Sequence, residues 1–544
     1  MRKQVSAIVT SGALLGLTAC GDNLNVTNLN NPDVARAYAT PAGVEGVVAG
    51  LGVQVFNTQR ATESVNTQSK ILAGESFASV ANFGMAARAQ IPRSLISNEL
   101  GNDNQAGNIA NFNQFSRVSR TAANAIQALD RIVAGGGTLG STAQNARAKS
   151  FAFLVLGQAL GNLSLAYDSA AVVTPAVPSD QVPGLSSAAA VNAAALAMLD
   201  SAIAIANSPG AATGTNGFPL PATWINGQSL TREQFVRLAR SYKARLRAGV
   251  ARTPAQRQAV NWNEVIADAT NGITADFTVN VGGGSGWSAA FDVTQMYVVG
   301  GWHSMSPLYY GMADVSGGYD AWLATPRDSR SGFLIVTPDR RWPQGTTRAA
   351  QQASNPNVAP PPGMYVRNRP SGEDVPLSGY GDSWYDHRRY GAANLAASTG
   401  PYVEMSATEM TMLAAEGHIR NSNLPAAIAL VNASRTRNGL DAIPAVTSAT
   451  APYSTDRSTC VPRVPQAPNF TSTACGSLLE AMKYEKRIET AFTGYMIWFT
   501  DNRGWGDMVE GTTVEWPVPY QEMQYRQQVY YNGTNRAARG TYGF

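Results

Sequence analysis

Apolar residues recur at helical spacing in four stretches of the first half of the chain. Between Thr121 and Ala134, the residues Ala125, Ile126, Leu129 and Ile132 form one stripe, which predicts an amphipathic helix. A longer helix is predicted from Ala143 to Tyr167, with Phe151, Leu154, Val155 and Gln158 at the required spacing. Ala188–Ala206 and Thr231–Val250 follow. The latter opens on Thr231-x-x-Gln234, a pattern in which each side chain serves the other residue's backbone N–H. Apolar faces of this kind bury one another when consecutive helices fold back as antiparallel hairpins.

The helical period then stops. From Gly272 to Pro401 the chain is rich in Gly, Pro, Trp and Tyr, with a glycine run at 282–286 and four prolines between Asn355 and Gly363. Such a stretch reads as loops with short strands and helices laid over a helical scaffold. Helical pattern resumes at Glu404–Arg420 and Leu424–Arg437, the second closed by Gly439, and again at about Ser477–Phe492. The expected class is mostly α: tetratricopeptide-type helical hairpins with a large irregular, loop-rich insert. Its parts are a scaffold at 32–271 and 402–544 and an insert at 272–401, forming one domain.

The first residues carry a different message. Arg2 and Lys3 precede the apolar or small-residue run Val5–Leu17, and Leu17-Thr18-Ala19-Cys20 ends it. That order is a secretory signal (residues 1–19) with a cysteine at the cleavage point, and the run is too short for a finished membrane helix. Cys20 is the expected lipidation site. Acyl chains such as palmitate on it would anchor the chain, each buried CH₂ contributing about 0.8 kcal/mol. Residues 20–31 read as an Asn-rich tether.

Charge adds exclusions more than identity. The formal charge is +4, and loss of Arg2 and Lys3 with the signal leaves +2. With 14% of residues charged, there is no dense basic surface of the kind nucleic acid requires. No later segment reads as long and apolar enough to cross a membrane, so a soluble body on a tether is expected. Cys460 and Cys475 flank a loop rich in Pro, Ser and Thr, and an oxidising compartment lets them pair, for about 3 kcal/mol on the chain-entropy model. The three histidines, His303, His387 and His418, are scattered and no Cys-x-x-Cys occurs, so neither metal nor cofactor is expected. Gly-x-Ser-x-Gly, P-loop and His-Glu-x-x-His patterns are absent. Asp382, Asp386 and His387 are the one acidic cluster suggesting glycoside hydrolysis. Acidic residues beside aromatics are common in loops, and no catalytic residue is assigned.

Three C-terminal motifs carry a family resemblance. Glu409-Met-Thr-Met-Leu413-Ala-Ala415-Glu416 comes first, then Val431-Asn432-x-x-Arg435-x-Arg437-x-Gly439, then Glu485-Lys-Arg-Ile-Glu489-x-x-Phe492-x-Gly494. Trp498, Asp501, Arg503, Trp505, Gly506 and Pro517-Val518-Pro519 follow. In this order they resemble the SusD/RagB family of outer-membrane nutrient-binding lipoproteins, as do Asn25–Asp33 and Thr40–Val44 near the start. Thr493 and Met496 stand where that family usually has Glu and Arg, which marks a divergent branch. Bottom-up, Glu416, Arg435, Arg437 and Glu489 read as structural, bridging helices through Arg–carboxylate pairs.

The resemblance implies a SusD-like, non-catalytic protein at the outer membrane, lipid-anchored and facing the cell surface. It would capture an oligosaccharide or other nutrient and deliver it to a SusC-like TonB-dependent transporter. The scaffold would face the transporter and the insert would build the ligand face. Sugars offer apolar CH faces and many hydroxyls, so exposed aromatic planes beside amides and Arg suit them. The candidate ligand contacts are Phe83, Arg88 and Asn98 in an early loop, and Trp287, Trp302, Tyr309, Tyr310, Trp322 and Trp384 in the insert. Two other classes fit the sequence: a helical-repeat scaffold for protein partners and, less well, a glycan-cleaving enzyme.

Overall fold

The computed structural model describes residues 37–77, 82–102, 104–208, 217–293, 304–354, 363–377 and 381–544. The signal, Cys20, the tether, Trp302 and His303 lie outside the described residues. The chain starts its helical body with α1 (Pro41–Gln59), where Thr40 Oγ1 accepts from the Gly43 N–H and Pro41 fits the first turn. Next come α2 (Val65–Leu72), α3 (Gln105–Ala134), α4 (Thr142–Ala166), α5 (Ala188–Ala206), α6 (Arg232–Gly249) and α7 (Trp262–Thr270). The C-terminal scaffold adds α8 (Ala407–Arg420), α9 (Leu424–Arg437), α10 (Leu478–Thr490) and α11 (Ile497–Trp505). Neighbours in sequence pack on one another: α3 on α4, α4 on α5, and α8 on α9.

Helix α4 is the centre of the first half, and Ser150 to Ala166 is buried without a break. A helix covered on every side needs no polar face. Two glycines let its neighbours approach. A Cβ on Gly157 would stand 2.7 Å from Leu199 of α5, and one on Gly161 would stand 2.5 Å from Leu246 of α6. The capping box of α6 is present as the sequence predicts, with Thr231 and Gln234 serving each other.

Three expectations need adjusting. Helix α3 begins at Gln105, sixteen residues before the predicted Thr121, because Phe112, Phe115 and Val118 extend the buried stripe through a segment otherwise rich in Asn, Gln and Ser. Helix α8 begins at Ala407 instead of Glu404, since Gly400–Met405 is a strand and Ser406 caps the helix from its side chain. Finally, α5 is long and apolar enough to span a membrane by composition. Its Val191, Asn192, Ala195, Leu199 and Ala202 are buried in the body, so it forms part of the scaffold core.

Among the described residues, ten short strands make five two-stranded antiparallel pairs. They are β1 (Ser169–Ala171) with β2 (Leu185–Ser187), β3 (Phe277–Val281) with β8 (Gly400–Met405), β4 (Val366–Asn368) with β7 (Tyr385–His387), β5 (Val375–Leu377) with β6 (Gly381–Ser383), and β9 (Arg463–Pro465) with β10 (Thr473–Cys475). The β3–β8 pair clamps the two ends of the insert, with Val281 opposite Gly400 and Phe277 opposite Met405. A disulfide joins Cys460 to Cys475, with Cα atoms 5.6 Å apart. Within the loop it closes, β9 and β10 pair. Thr473 N–H donates to the Asp320 carboxylate of the insert, which also pairs with Arg457 just ahead of the loop.

One apolar core runs from Val44 in α1 to Tyr542 near the C-terminus. A smaller one lies under α8, α9 and α10 with Trp505. The chain after α11 folds back over the scaffold. Trp516 N–H donates to Ala166 C=O at 2.9 Å, and Asp168 N–H donates to Trp516 C=O at 3.0 Å.

Candidate ligand-binding site

The family-like charged motifs lie mostly in the interior, though Arg437 is exposed. Glu416 accepts two hydrogen bonds from Arg257, at 3.0 and 2.6 Å, and one from the Trp505 indole at 3.0 Å. Burial pushes its carboxyl up, and the Arg257, Arg420 and Lys486 cations outweigh this and hold it at about 2. Glu489 accepts from Arg341 at 3.1 Å and Asn438 at 3.1 Å, with Arg437 3.5 Å away. Arg435 departs from the expected Arg–carboxylate pairing. Its guanidinium donates to the carbonyls of Asp441 (3.0 Å) and Val461 (2.6 Å) and to the Tyr453 hydroxyl. It fastens the loop leading to Cys460 instead of a helix.

The insert's aromatics are mostly interior as well. Tyr309 meets Trp498 edge-on at 5.8 Å, and its hydroxyl donates to Asp507 C=O at 2.7 Å. Tyr310 meets Trp342 edge-on at 5.4 Å. Trp322 stacks on Tyr319, with Arg330 lying 4.1 Å from its ring centroid. Trp287 packs on Phe56 of α1 at 5.3 Å. All four candidates, Trp287, Tyr309, Tyr310 and Trp322, are buried. This corrects the picture of an insert that displays its aromatic planes: the rings pack against one another and against the scaffold. Trp384 is half-buried, with Arg348 4.7 Å over its ring. Phe83 is half-buried, in a short turn.

Asp386 does not suit general acid chemistry. Burial raises its carboxyl, but Arg388, Arg367 and Arg369 hold it below the usual carboxylate range. Arg367 Nε reaches both carboxylate oxygens, at 2.9 and 3.1 Å, and Arg388 reaches each of them at 3.3 Å. A carboxylate fixed in this way stays ionised, whereas an acid catalyst needs the opposite shift.

The early loop leads to the surface that remains open. Arg88 is buried, donating to Gln68 Oε1 at 3.0 Å, and burial lowers it to about 10. Asn98 is a fastening point for a C-terminal strap, residues 518–532. Its Nδ2 donates to the carbonyls of Val518 (2.8 Å) and Tyr531 (2.9 Å), and its Oδ1 accepts from Tyr520 N–H at 3.0 Å. Its own N–H donates to Asn532 Oδ1 at 2.6 Å. An amide with its donors and acceptor engaged positions the strap and leaves little for a ligand.

The strap carries what the insert withholds. Tyr525 is 70% exposed, Val529 87%, Tyr530 46% and Tyr531 38%, and the anchoring loop adds Leu95 and Leu100. Tyr520 and Tyr530 meet edge-on at 6.4 Å. The Tyr531 hydroxyl donates to both oxygens of Asp168 at 2.8 Å. Burial pushes the Asp168 carboxyl up to about 6 against the effect of that hydrogen bond. Sequence reading missed these tyrosines, although the signal was present: Tyr520-Gln-Glu-Met-Gln-Tyr-Arg-Gln-Gln-Val-Tyr-Tyr531 has aromatics among amides with no apolar period to bury them.

Beside the strap lie two open clefts over the scaffold. One encloses about 850 Å³ and is lined by Arg252, Arg503, Trp505, Glu515, Arg536 and Arg539 among others. The other, about 540 Å³, reaches Asp168 and shares Arg252, Gln256 and Glu515 with the first.

No family model matches the chain, and no curated protein matches it. Solved structures do. A SusD superfamily protein of Bacteroides thetaiotaomicron superposes with a TM-score of 0.53 at 15% identity, over 91% of this chain and 98% of that one. A SusD homolog of Bacteroides uniformis gives 0.51 at 16% identity, over 92% and 99%. A SusD homolog of Parabacteroides distasonis gives 0.51 at 14% identity, over 84% of each. The chain therefore has the fold of these SusD-type structures, a helical, tetratricopeptide-type body carrying a loop-rich insert.

Proposed function

We propose that this protein is a lipid-anchored, surface-facing outer-membrane lipoprotein. It captures an oligosaccharide or related nutrient and hands it to a SusC-like TonB-dependent transporter, without catalysis. The observation that carries the reading is the SusD fold, matched over nine-tenths of the chain. The Leu17–Cys20 pattern supports it independently. Fold alone does not settle function, so the ligand assignment rests on the exposed side chains. The strap tyrosines offer amphipathic planes on which sugar CH faces stack, beside the amides of Gln524, Gln527 and Gln528. Of the contacts expected from the sequence, Trp384 and Phe83 are half-buried and remain partly accessible.

The test is a thermal-shift and glycan-array screen of the full mature chain beside Tyr525→Ala/Tyr530→Ala. The reading predicts that a glycan class raises the Tm of the parent and that the variant loses at least tenfold in affinity with its own Tm unchanged. Glycan turnover would favour the glycan-cleaving enzyme. Binding confined to protein partners would favour the helical-repeat scaffold.

A further inference from the structure

The larger cleft has a charge balance of its own. Four arginines line it, Arg252, Arg503, Arg536 and Arg539, against the single carboxylate of Glu515. That carboxylate is already engaged, accepting from Arg252 Nε at 2.9 Å and from the Asn535 amide. The two inner arginines are structural. Arg503 donates to the carbonyls of Ala251, Val514 and Gly249, and Arg252 to those of Val250, Ser164 and Tyr167. The two outer ones are different. Arg536 makes no side-chain hydrogen bond among the described residues, and Arg539 makes one, to Gly543 C=O at 3.3 Å. Both are exposed at the mouth.

Arg539 also lies 5.1 Å from the Phe470 ring centroid, and with Arg536 it leaves guanidinium donors free over a partly apolar floor (Trp505, Met508, Val514), which suits a carboxylate on a ring with an apolar CH face. Two guanidiniums at one mouth repel each other, and a carboxylate placed between them relieves the repulsion. The volume, about 850 Å³, is that of a site for an oligosaccharide unit or two. Through Arg252 and Glu515 the cleft continues toward Asp168, which Tyr531 of the strap touches. A chain of sugars on the tyrosines therefore has a polar path to the arginines.

We infer that this cleft binds the uronic-acid unit of an acidic oligosaccharide, its carboxylate held by Arg536 and Arg539. The inference rests on the glycan-capture reading and narrows it to carboxylated sugars. The experiment is calorimetric titration of the full mature chain with tri-galacturonate and with its methyl ester, which has the same ring shape without the charge. The parent binds the acid at least tenfold more tightly than the ester, and the preference shrinks as salt rises. Arg536→Ala/Arg539→Ala abolishes the preference and leaves ester affinity unchanged, whereas Arg536→Lys/Arg539→Lys keeps part of it. Equal affinity for acid and ester, or an unchanged preference in the alanine variant, overturns the cleft assignment and leaves glycan capture standing. Tighter binding of a poly-glutamate peptide than of tri-galacturonate overturns it in favour of protein docking. Binding of neither sugar also overturns it, and co-purification with a transporter barrel then shows separately whether the uptake reading survives.

Discussion

Two parts of this molecule are rich in aromatic residues, and they use them in opposite ways. In the insert, Tyr309, Tyr310 and Trp342 form a buried ring network that reaches Trp498 of α11, and Tyr319 and Trp322 are buried in a second stack. In the strap, Tyr525, Tyr530 and Tyr531 stand in solvent. The difference is one of layers. The insert folds back onto the scaffold and has arginines such as Arg330 and Arg348 closing over its outer rings. The strap is tied down by bonds from the Asn98 side chain to its backbone, with Met523 buried and Tyr525, Val529 and Tyr530 left uncovered. Aromatic density in the sequence therefore marks an exposed surface only where no second layer packs over the rings.

The largest effect that separates the two regions is on stability. Trp342 is fully buried between Tyr310 and Tyr385. Trp342→Ala should destabilise the protein by about 3–5 kcal/mol in denaturant unfolding, the usual range for a buried Trp. A change below about 1 kcal/mol would mean that the insert is not the packed region described here. Next is the brace on the insert. Cys460→Ser/Cys475→Ser opens a link spanning fifteen residues of sequence. It should cost about 3 kcal/mol, with hydrogen-exchange protection falling around Asp320, which the neighbouring segment contacts. Unchanged protection there would remove the brace from the account.

Smaller effects belong to the strap. Asp168 has its carboxyl raised to about 6 by burial, above the ordinary value of 3.8. Folding thus favours its protonated form. That contribution is present below pH 4 and is lost as pH rises through about 6. Relative to the parent, Asp168→Asn should gain on the order of 2 kcal/mol between pH 4 and pH 7.5, read from paired unfolding curves. Parallel curves across that window would show that Asp168 titrates normally. Smallest of all, Tyr525→Ala should change stability by less than about 0.5 kcal/mol, since its ring is 70% exposed. A loss above 2 kcal/mol would make the strap part of the core.

Much of the scaffold was legible because period and caps agree. Helices α5 and α9 begin and end at their predicted residues, and the Thr231–Gln234 box opens α6. The start of α3 was not, because the polar residues of 105–120 conceal Phe112 and Phe115, whose burial depends on α4 and on partners distant in sequence. The early-loop residue Asn98 was found, but its role was not: hydrogen bonds to Val518, Tyr520 and Tyr531 span more than 400 positions and have no local signature. The arginine rim was equally hidden. Arg536 and Arg539 sit on a short tail, and they share a cleft only because that tail crosses the segment around Arg252 and Arg503 of α11.

The central claim is uptake in partnership with a membrane barrel. The direct measurement is a pull-down of the tagged, lipidated protein from gently solubilised outer membranes, with co-purifying chains identified by mass spectrometry. The account predicts a TonB-dependent barrel in comparable molar amount. Recovery of the protein from the inner membrane or periplasm with no barrel would contradict it.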